Sequence, residues 1–270
     1  MFNVGKNVSK IETLVELRNA RVFRENHCVF RDLSLSIPIG CHTVILGPNG
    51  SGKSTFLKLL SRELYPVAQA ETVFRLLGHE CWNVWDLRSK LGILSAELQE
   101  DYPDRTRGLD VVLSGFFSSL DLYDHHRVGL QQLERSYEVM NTVGVEHLAE
   151  RPFGALSIGE QRRLLLGRTL VHNPTALILD EPTTGLDVQG CFRYLACLRA
   201  YIQQGHTVIL VTHHLHEIPP EIDRVILLKN GQVVGDGTKQ HLLTAERLSA
   251  LFDISLQLIE QDGWYQVLPG

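Results

Sequence analysis

Gly47-Pro48-Asn49-Gly50-Ser51-Gly52-Lys53-Ser54 is the stretch that decides the fold. It fills every fixed position of the phosphate-loop pattern G-x-x-x-x-G-K-[ST], and its flanks supply the context that pattern needs. Before it runs Thr43-Val44-Ile45-Leu46, β-branched and apolar, which reads as a buried strand; after it, KSTFLKLLSREL carries apolar residues at helical spacing. Each residue type has a physical job in such a turn. Glycines let the backbone curl until successive N–H groups converge on an anion. The helix that follows adds its own N-terminal N–H groups and the positive end of its dipole. Lys53 is placed to reach β- and γ-phosphates and the Ser54 hydroxyl to ligate Mg²⁺, with Thr55 in the same nucleotide-binding set. The spacing predicts a nucleoside triphosphate site.

Outward from this turn, apolar strands and helices alternate. ALILD at 176–180 and TVILVT at 207–212 read as buried strands, and EQRRLLLGRTLVHN and VQGCFRYLACLRAYIQQG as helices. That alternation predicts a parallel sheet covered on both faces. The first forty residues differ: LVELRNARVF and LSLSI alternate apolar and polar positions, the pattern of half-buried antiparallel strands. RVILLKNGQVVGDG reads as a hairpin whose turn, Asn230-Gly231, takes positive φ at both central positions. Between the two parts of the α/β core, residues roughly 82–165 read as a helical insertion. Residues roughly 242–270 read as a helix with a small β-appendage. The expectation is one α/β domain spanning 1–270, a mixed sheet with helices, with an antiparallel β N-terminal part and a helical insertion subdomain.

Composition narrows the partners. With 270 residues, 44% hydrophobic and 21% charged, the chain is long enough and apolar enough to bury a full core. A net charge of −5 argues against a basic nucleic-acid footprint. Five cysteines without a CxxC pair argue against a disulfide framework or a zinc site. No signal-like apolar stretch opens the sequence, and no apolar run approaches the ~18–20 residues needed to span a bilayer. A soluble, cytoplasmic chain is expected.

A second carboxylate site fits the same chemistry. ALILDEP ends an apolar strand on Asp180 and then Glu181. An Asp at the tip of a strand beside the phosphate loop can hold Mg²⁺ through water, and an adjacent Glu can orient or deprotonate an attacking water. The histidines of THHLH (His213, His214, His216) invite a metal reading, but no matching ligand cluster accompanies them.

Leu156-Ser157-Ile158-Gly159-Glu160-Gln161, standing before a helix, separates the phosphate-loop families. With the phosphate loop, ALILDEP, Gly185-Leu186-Asp187 and Thr212-His213 in this order, the chain resembles the ATP-binding subunits of ABC transporters over residues from about 14 to 240. In organisation it is most similar to those of metal-chelate and oxyanion importers. The resemblance implies that two copies sandwich two ATP head to tail, or that this chain pairs with a paralogous ATPase. Ser157 and Gly159 of one copy then meet the γ-phosphate held by Lys53 of the other, with Glu160 in the same nucleotide-binding set. It implies Glu181 as catalytic glutamate, His213 as the switch histidine on the γ-phosphate, and Asp187 in the loop coupling the two sites. It also implies an integral-membrane permease as partner, with a periplasmic binding protein acting through it. The chain would sit peripherally on the inner face of the cell membrane, without direct nucleic-acid contact.

The sequence departs from the family in several places. Position 158 is isoleucine where a glycine is usual, and position 160 is Glu rather than Gln. The glutamine expected near LGILSAELQ falls in register on Ala96, with Glu97 or Gln99 as substitutes; the adenine-stacking position falls on Arg24, with Phe23 beside it. A stand-alone soluble ATPase of the same superfamily, working in nucleic-acid repair or on ribosomes, is the alternative. A GTPase is disfavoured because no Asn-Lys-x-Asp motif is present.

Overall fold

The structure, a computed structural model, describes residues 12–95, 97–100, 102–123 and 126–270. The chain starts with a long hairpin, β1 (Thr13–Arg24) and β2 (His27–Pro38), then enters β3 (Thr43–Leu46), the phosphate turn and α1 (Lys53–Leu60). Next come β4 (Val73–Leu76), α2 (Val84–Lys90), β5 (Leu91–Leu94), α3 (Glu97–Glu100), α4 (Gly108–Leu113) and α5 (Leu130–Thr142). They are followed by α6 (Ile158–Leu170), β6 (Ala176–Asp180), α7 (Val188–Gln203), β7 (Thr207–Thr212), β8 (Arg224–Lys229) and β9 (Gln232–Thr238). α8 (Lys239–Leu242), α9 (Ala245–Phe252) and the hairpin β10 (Leu256–Gln261) and β11 (Trp264–Pro269) complete it.

The main sheet has the order β5-β6-β7-β3-β8-β9. Its strands run parallel except for β9, which folds back on β8 through Asn230-Gly231, at φ 50° and 71°. A separate antiparallel sheet, β2-β1-β4, packs beside it. The long apolar runs make sense because both faces of the main sheet are buried. Odd and even positions feed different cores. Val44, Leu46, Leu177, Leu179, Val208 and Leu210 face the core shared with α4, α5 and α6. Ile45, Ile178, Ile209 and Val211 face the other, shared with α1 and the antiparallel sheet. The nucleotide-binding turn is therefore anchored in a strand gripped from both sides.

Two local expectations change. The segment read as a mostly helical insertion contains β5, the edge strand beside β6. Leu-Gly-Ile-Leu is too short for periodicity to separate strand from helix, and what selects the strand is a neighbour far along the chain. Within the same insertion the run LDVVLSGFFSSL at 109–120, whose apolar spacing is helical, is not one helix. α4 gives way to a 3₁₀ turn at Ser114–Phe117, stopped by Ser118 at φ 49°. Here Gly115 lies so near α6 that a Cβ would stand 2.4 Å from the Arg168 carbonyl oxygen.

Candidate active site

The phosphate turn is shaped by close approach and by left-handed backbone. A Cβ on Gly47 would fall 2.2 Å from the Leu228 carbonyl oxygen, so only glycine lets the turn cross β8. Gly52, at φ 110°, lies against the Phe30 ring and serves as the N-cap of α1 without any side-chain cap. With no acidic residue in its first turn either, α1 presents bare N–H groups and its positive end to the cleft. Lys53, the first residue of α1, folds back so that Nζ donates to the carbonyls of Gly47 (2.9 Å) and Pro48 (3.2 Å). Burial pushes its ammonium pKa down, and the neighbouring Glu181 and Asp180 carboxylates draw it back up. Lys53 lines a cleft of about 930 Å³ together with Asn49, Gly50, Gly52, Ser54, Thr55 and Glu181.

Asp180 ends β6, and Glu181 follows it in a left-handed conformation, φ 44°. That backbone costs a non-glycine residue roughly 1–2 kcal/mol, and two bonds hold it. Glu181 N donates to the Val211 carbonyl at 2.8 Å, and Arg162 Nη1, from α6, donates to the Glu181 carbonyl at 2.8 Å. The turn aims the Glu181 side chain across the sheet end toward β7. There His213 Nδ1 donates to Glu181 Oε1 at 2.6 Å, and Lys53 Nζ stands 3.9 Å from the same oxygen. Phosphate lysine, acidic residue and histidine, far apart in sequence, thus meet at one oxygen. Among the described residues no group of three or more potential ligands gathers as a metal site around the histidines.

Ser157, Gly159, Glu160 and Asp187 are not among the residues that line this cleft. They form a second, exposed locus at two adjacent helix starts. Ser157 caps α6: its hydroxyl donates to Glu160 Oε2 at 2.8 Å, and its own N–H donates to the same oxygen at 2.9 Å. The N–H of Glu160 closes the capping box on Ser157 Oγ at 3.3 Å. The backbone bond from Ser157, ahead of smaller contributions, holds the Glu160 carboxyl below the usual carboxylate range. Asp187 caps α7 by accepting from Gly190 N at 2.7 Å. A Cβ on Gly159 would meet nothing nearer than the Cα of Gly190, at 3.6 Å.

Of the positions left open by the sequence, Arg24 lines the cleft, while Phe23 is 42% exposed and does not. Ala96 lies outside the described residues. Gln99 donates to Gln161 Oε1 at 2.8 Å and shares a small cavity with Asp180. Sequence reasoning passed over Arg162. Its signal was the pair Arg162-Arg163, each only 9% exposed in the middle of a helix, and a buried guanidinium needs a partner.

The sequence profile of the ABC transporter family matches residues 30–184. The chain belongs to that family. An uncharacterized ABC transporter ATP-binding protein of Bacillus subtilis, YlmA, is 31% identical over 262 residues, covering 95% of this chain and 96% of its own. The hemin import ATP-binding protein HmuV of Plesiomonas shigelloides is 32% identical over 262 residues, covering 90% and 95%. In fold, a metal-chelate type ABC transporter in an inward-facing conformation aligns with a TM-score of 0.74 at 23% identity, over 94% of this chain and 96% of that one. A dimeric bacterial ABC transporter cassette aligns with a TM-score of 0.67 at 24% identity, over 83% and 98%. The relatives are transporter ATP-binding proteins, which favours the transporter reading over a stand-alone repair or ribosome ATPase. Among the described residues no helix of this cassette is long and apolar enough to cross a membrane.

Proposed function

We propose that this cassette hydrolyses ATP as one of a pair, and that the pair drives a separate membrane permease. The observation that carries the hydrolytic part is the convergence of Lys53 and His213 on one carboxylate oxygen of Glu181, a residue that lines the phosphate cleft. Lys53, with the bare N-terminus of α1, neutralises the β- and γ-phosphates. Glu181 accepts a proton from, or orients, the attacking water. The His213 N–H fixes which way that carboxylate points and stands ready to meet the γ-phosphate. The hydroxyl of Ser54 and the carboxylate of Asp180 are hard oxygen donors of the kind Mg²⁺ prefers, and Gln99 lies beside Asp180 to join them. Mg²⁺ held by these residues would supply charge neutralisation to the phosphate oxygens. Arg24 offers its planar guanidinium to the base.

The split of the motifs into two loci supports the pairing. Ser157 and Gly159 stand at a helix N-terminus, suited to an anion, but away from this chain's own phosphate cleft. Gly159 costs its helix roughly 1 kcal/mol relative to alanine, and no atom of this chain lies close enough to demand the glycine. A phosphate brought in by a second copy does demand it. Head-to-tail pairing, with Asp187 and its loop at the seam, fits the likeness to a dimeric cassette. The likeness to a hemin import ATP-binding protein supports a permease of the importer class; with such a permease, fed by a periplasmic binding protein, the cassette would sit on the inner face of the membrane.

Glu181→Gln tests the assignment. Turnover of Mg-ATP should fall by about 10²–10⁴-fold while ATP binding persists, so that size-exclusion chromatography with Mg-ATP shows a trapped dimer. Wild-type turnover in this variant overturns the role given to Glu181.

A further inference from the structure

Glu217 takes no part in the chemistry above, yet its side chain is fully buried, at 0% exposure, directly behind the catalytic pair. Its two oxygens hold two different segments. Oε1 accepts from Thr183 N at 2.9 Å and from Thr183 Oγ1 at 2.5 Å. Oε2 accepts from Thr212 Oγ1. Thr183 stands in the turn that leaves β6, two residues after Glu181, and Thr212 is the last residue of β7, immediately before His213. The Thr212 hydroxyl also accepts from His214 N at 2.9 Å. The residues on both sides of His213 are therefore tied to one hydroxyl, and that hydroxyl to the carboxylate that grips the turn carrying Glu181.

A buried carboxylate is an expensive way to fill space, since an apolar side chain of similar volume would pack without losing hydration. It is tolerated here because three donors converge on it. What it contributes that a leucine could not is a fixed separation between two strand ends. The Glu181–His213 bond spans that same gap, at 2.6 Å.

We propose that Glu217 is a positioning residue that sets the approach of Glu181 to His213 by clamping Thr183 to Thr212. The proposal rests on the hydrolytic roles given to Glu181 and His213. It makes Glu217 act on turnover through geometry, without touching nucleotide. Because nucleotide contacts are unchanged, the clamp should govern kcat and leave ATP affinity alone.

The test compares wild type, Glu217→Gln, Thr212→Val, Thr212→Ser and Glu181→Gln as full chains, measuring ATP Kd, kcat, thermal midpoint and the imidazole NMR signal of His213, assigned by its loss in His213→Ala. Glu217→Gln and Thr212→Val should each lower kcat about tenfold or more, as misplacement of a reacting group does, and shift the His213 signal, with ATP Kd within about twofold. Thr212→Ser, which keeps the hydroxyl, should restore both kcat and signal. Three outcomes overturn the clamp: kcat unchanged in both Glu217→Gln and Thr212→Val, an unmoved His213 signal, or kcat falling only in step with thermal midpoint and ATP affinity. Full turnover in Glu181→Gln instead overturns the hydrolytic assignment itself, so the two failures are told apart.

Discussion

Lys53 shows how one residue can be both buried and poised. Its ammonium is only 6% exposed and spends its donors on the Gly47 and Pro48 carbonyls, while Glu181 waits 3.9 Å away. Phosphate oxygens entering the cleft replace carbonyl acceptors with charged ones, which makes stronger hydrogen bonds. Lys53→Ala should therefore weaken ATP binding by more than about tenfold, a charge-assisted bond contributing roughly 1.5–3 kcal/mol, with little change in thermal midpoint in the absence of nucleotide. Equilibrium titration with a fluorescent ATP analogue reads it, and unchanged affinity would contradict the role. Lys53 and Glu181 were legible in the sequence because their motifs are local. Arg162 and Glu217 were not: nothing next to them says that one ends on the Glu181 carbonyl and the other on Thr183 and Thr212.

The start of α6 carries a structural device, a capping box on a helix end outside the phosphate cleft. Its capping box uses Glu160 twice, on the Ser157 N–H and hydroxyl, and these bonds favour the charged carboxylate. The Glu160 pKa is therefore lowered in the folded state. A depressed carboxyl contributes stability that is full above its unfolded value, about pH 4.3. The contribution is lost as pH falls through the lower folded value. Amide exchange at Glu160 should accordingly be slower in wild type than in Glu160→Gln from neutrality down to about pH 5, with the difference closing below about pH 4; a difference that persists undiminished at pH 3 would show that the charge is irrelevant. The existence of α6 could be read from the apolar spacing of EQRRLLLGRTLVHN, and S-x-x-E at Ser157 and Glu160 is the local pattern of its capping box. The strand β5 could not, since four residues carry no decisive period and its identity depends on Lys90–Thr175 and the β6 ladder.

At the scale of the whole molecule, the main sheet divides its apolar side chains between two cores and leaves Glu181 and His213 just past the ends of the parallel neighbours β6 and β7. The Ser157–Gly159 locus does not line the phosphate cleft, and the proposed pairing gives it a phosphate from a second copy. Gly159→Ala separates folding from assembly. Alanine's Cβ would make only ordinary van der Waals contacts, the nearest at 3.6 Å, and alanine favours helix, so the unfolding free energy should hold or rise by up to about 1 kcal/mol. ATP-driven dimerisation in the Glu181→Gln background should weaken. Chemical denaturation and size-exclusion chromatography measure the two effects, and an undiminished dimer would remove Gly159 from the seam.

By itself the sequence determined the phosphate turn, the Asp180-Glu181 pair, the helix cap at Ser157 and the family, because each is written in a short contiguous run whose residue types are dictated by backbone geometry or charge. Tertiary structure decided what happens between those runs. It joined β5 to the sheet, placed Arg24 rather than Phe23 on the cleft, brought His213 onto Glu181, and set Glu217 behind both. These are contacts between side chains distant along the chain, fixed by packing against a shared sheet and by the pairing that buried polar groups require, neither of which any local stretch of sequence records.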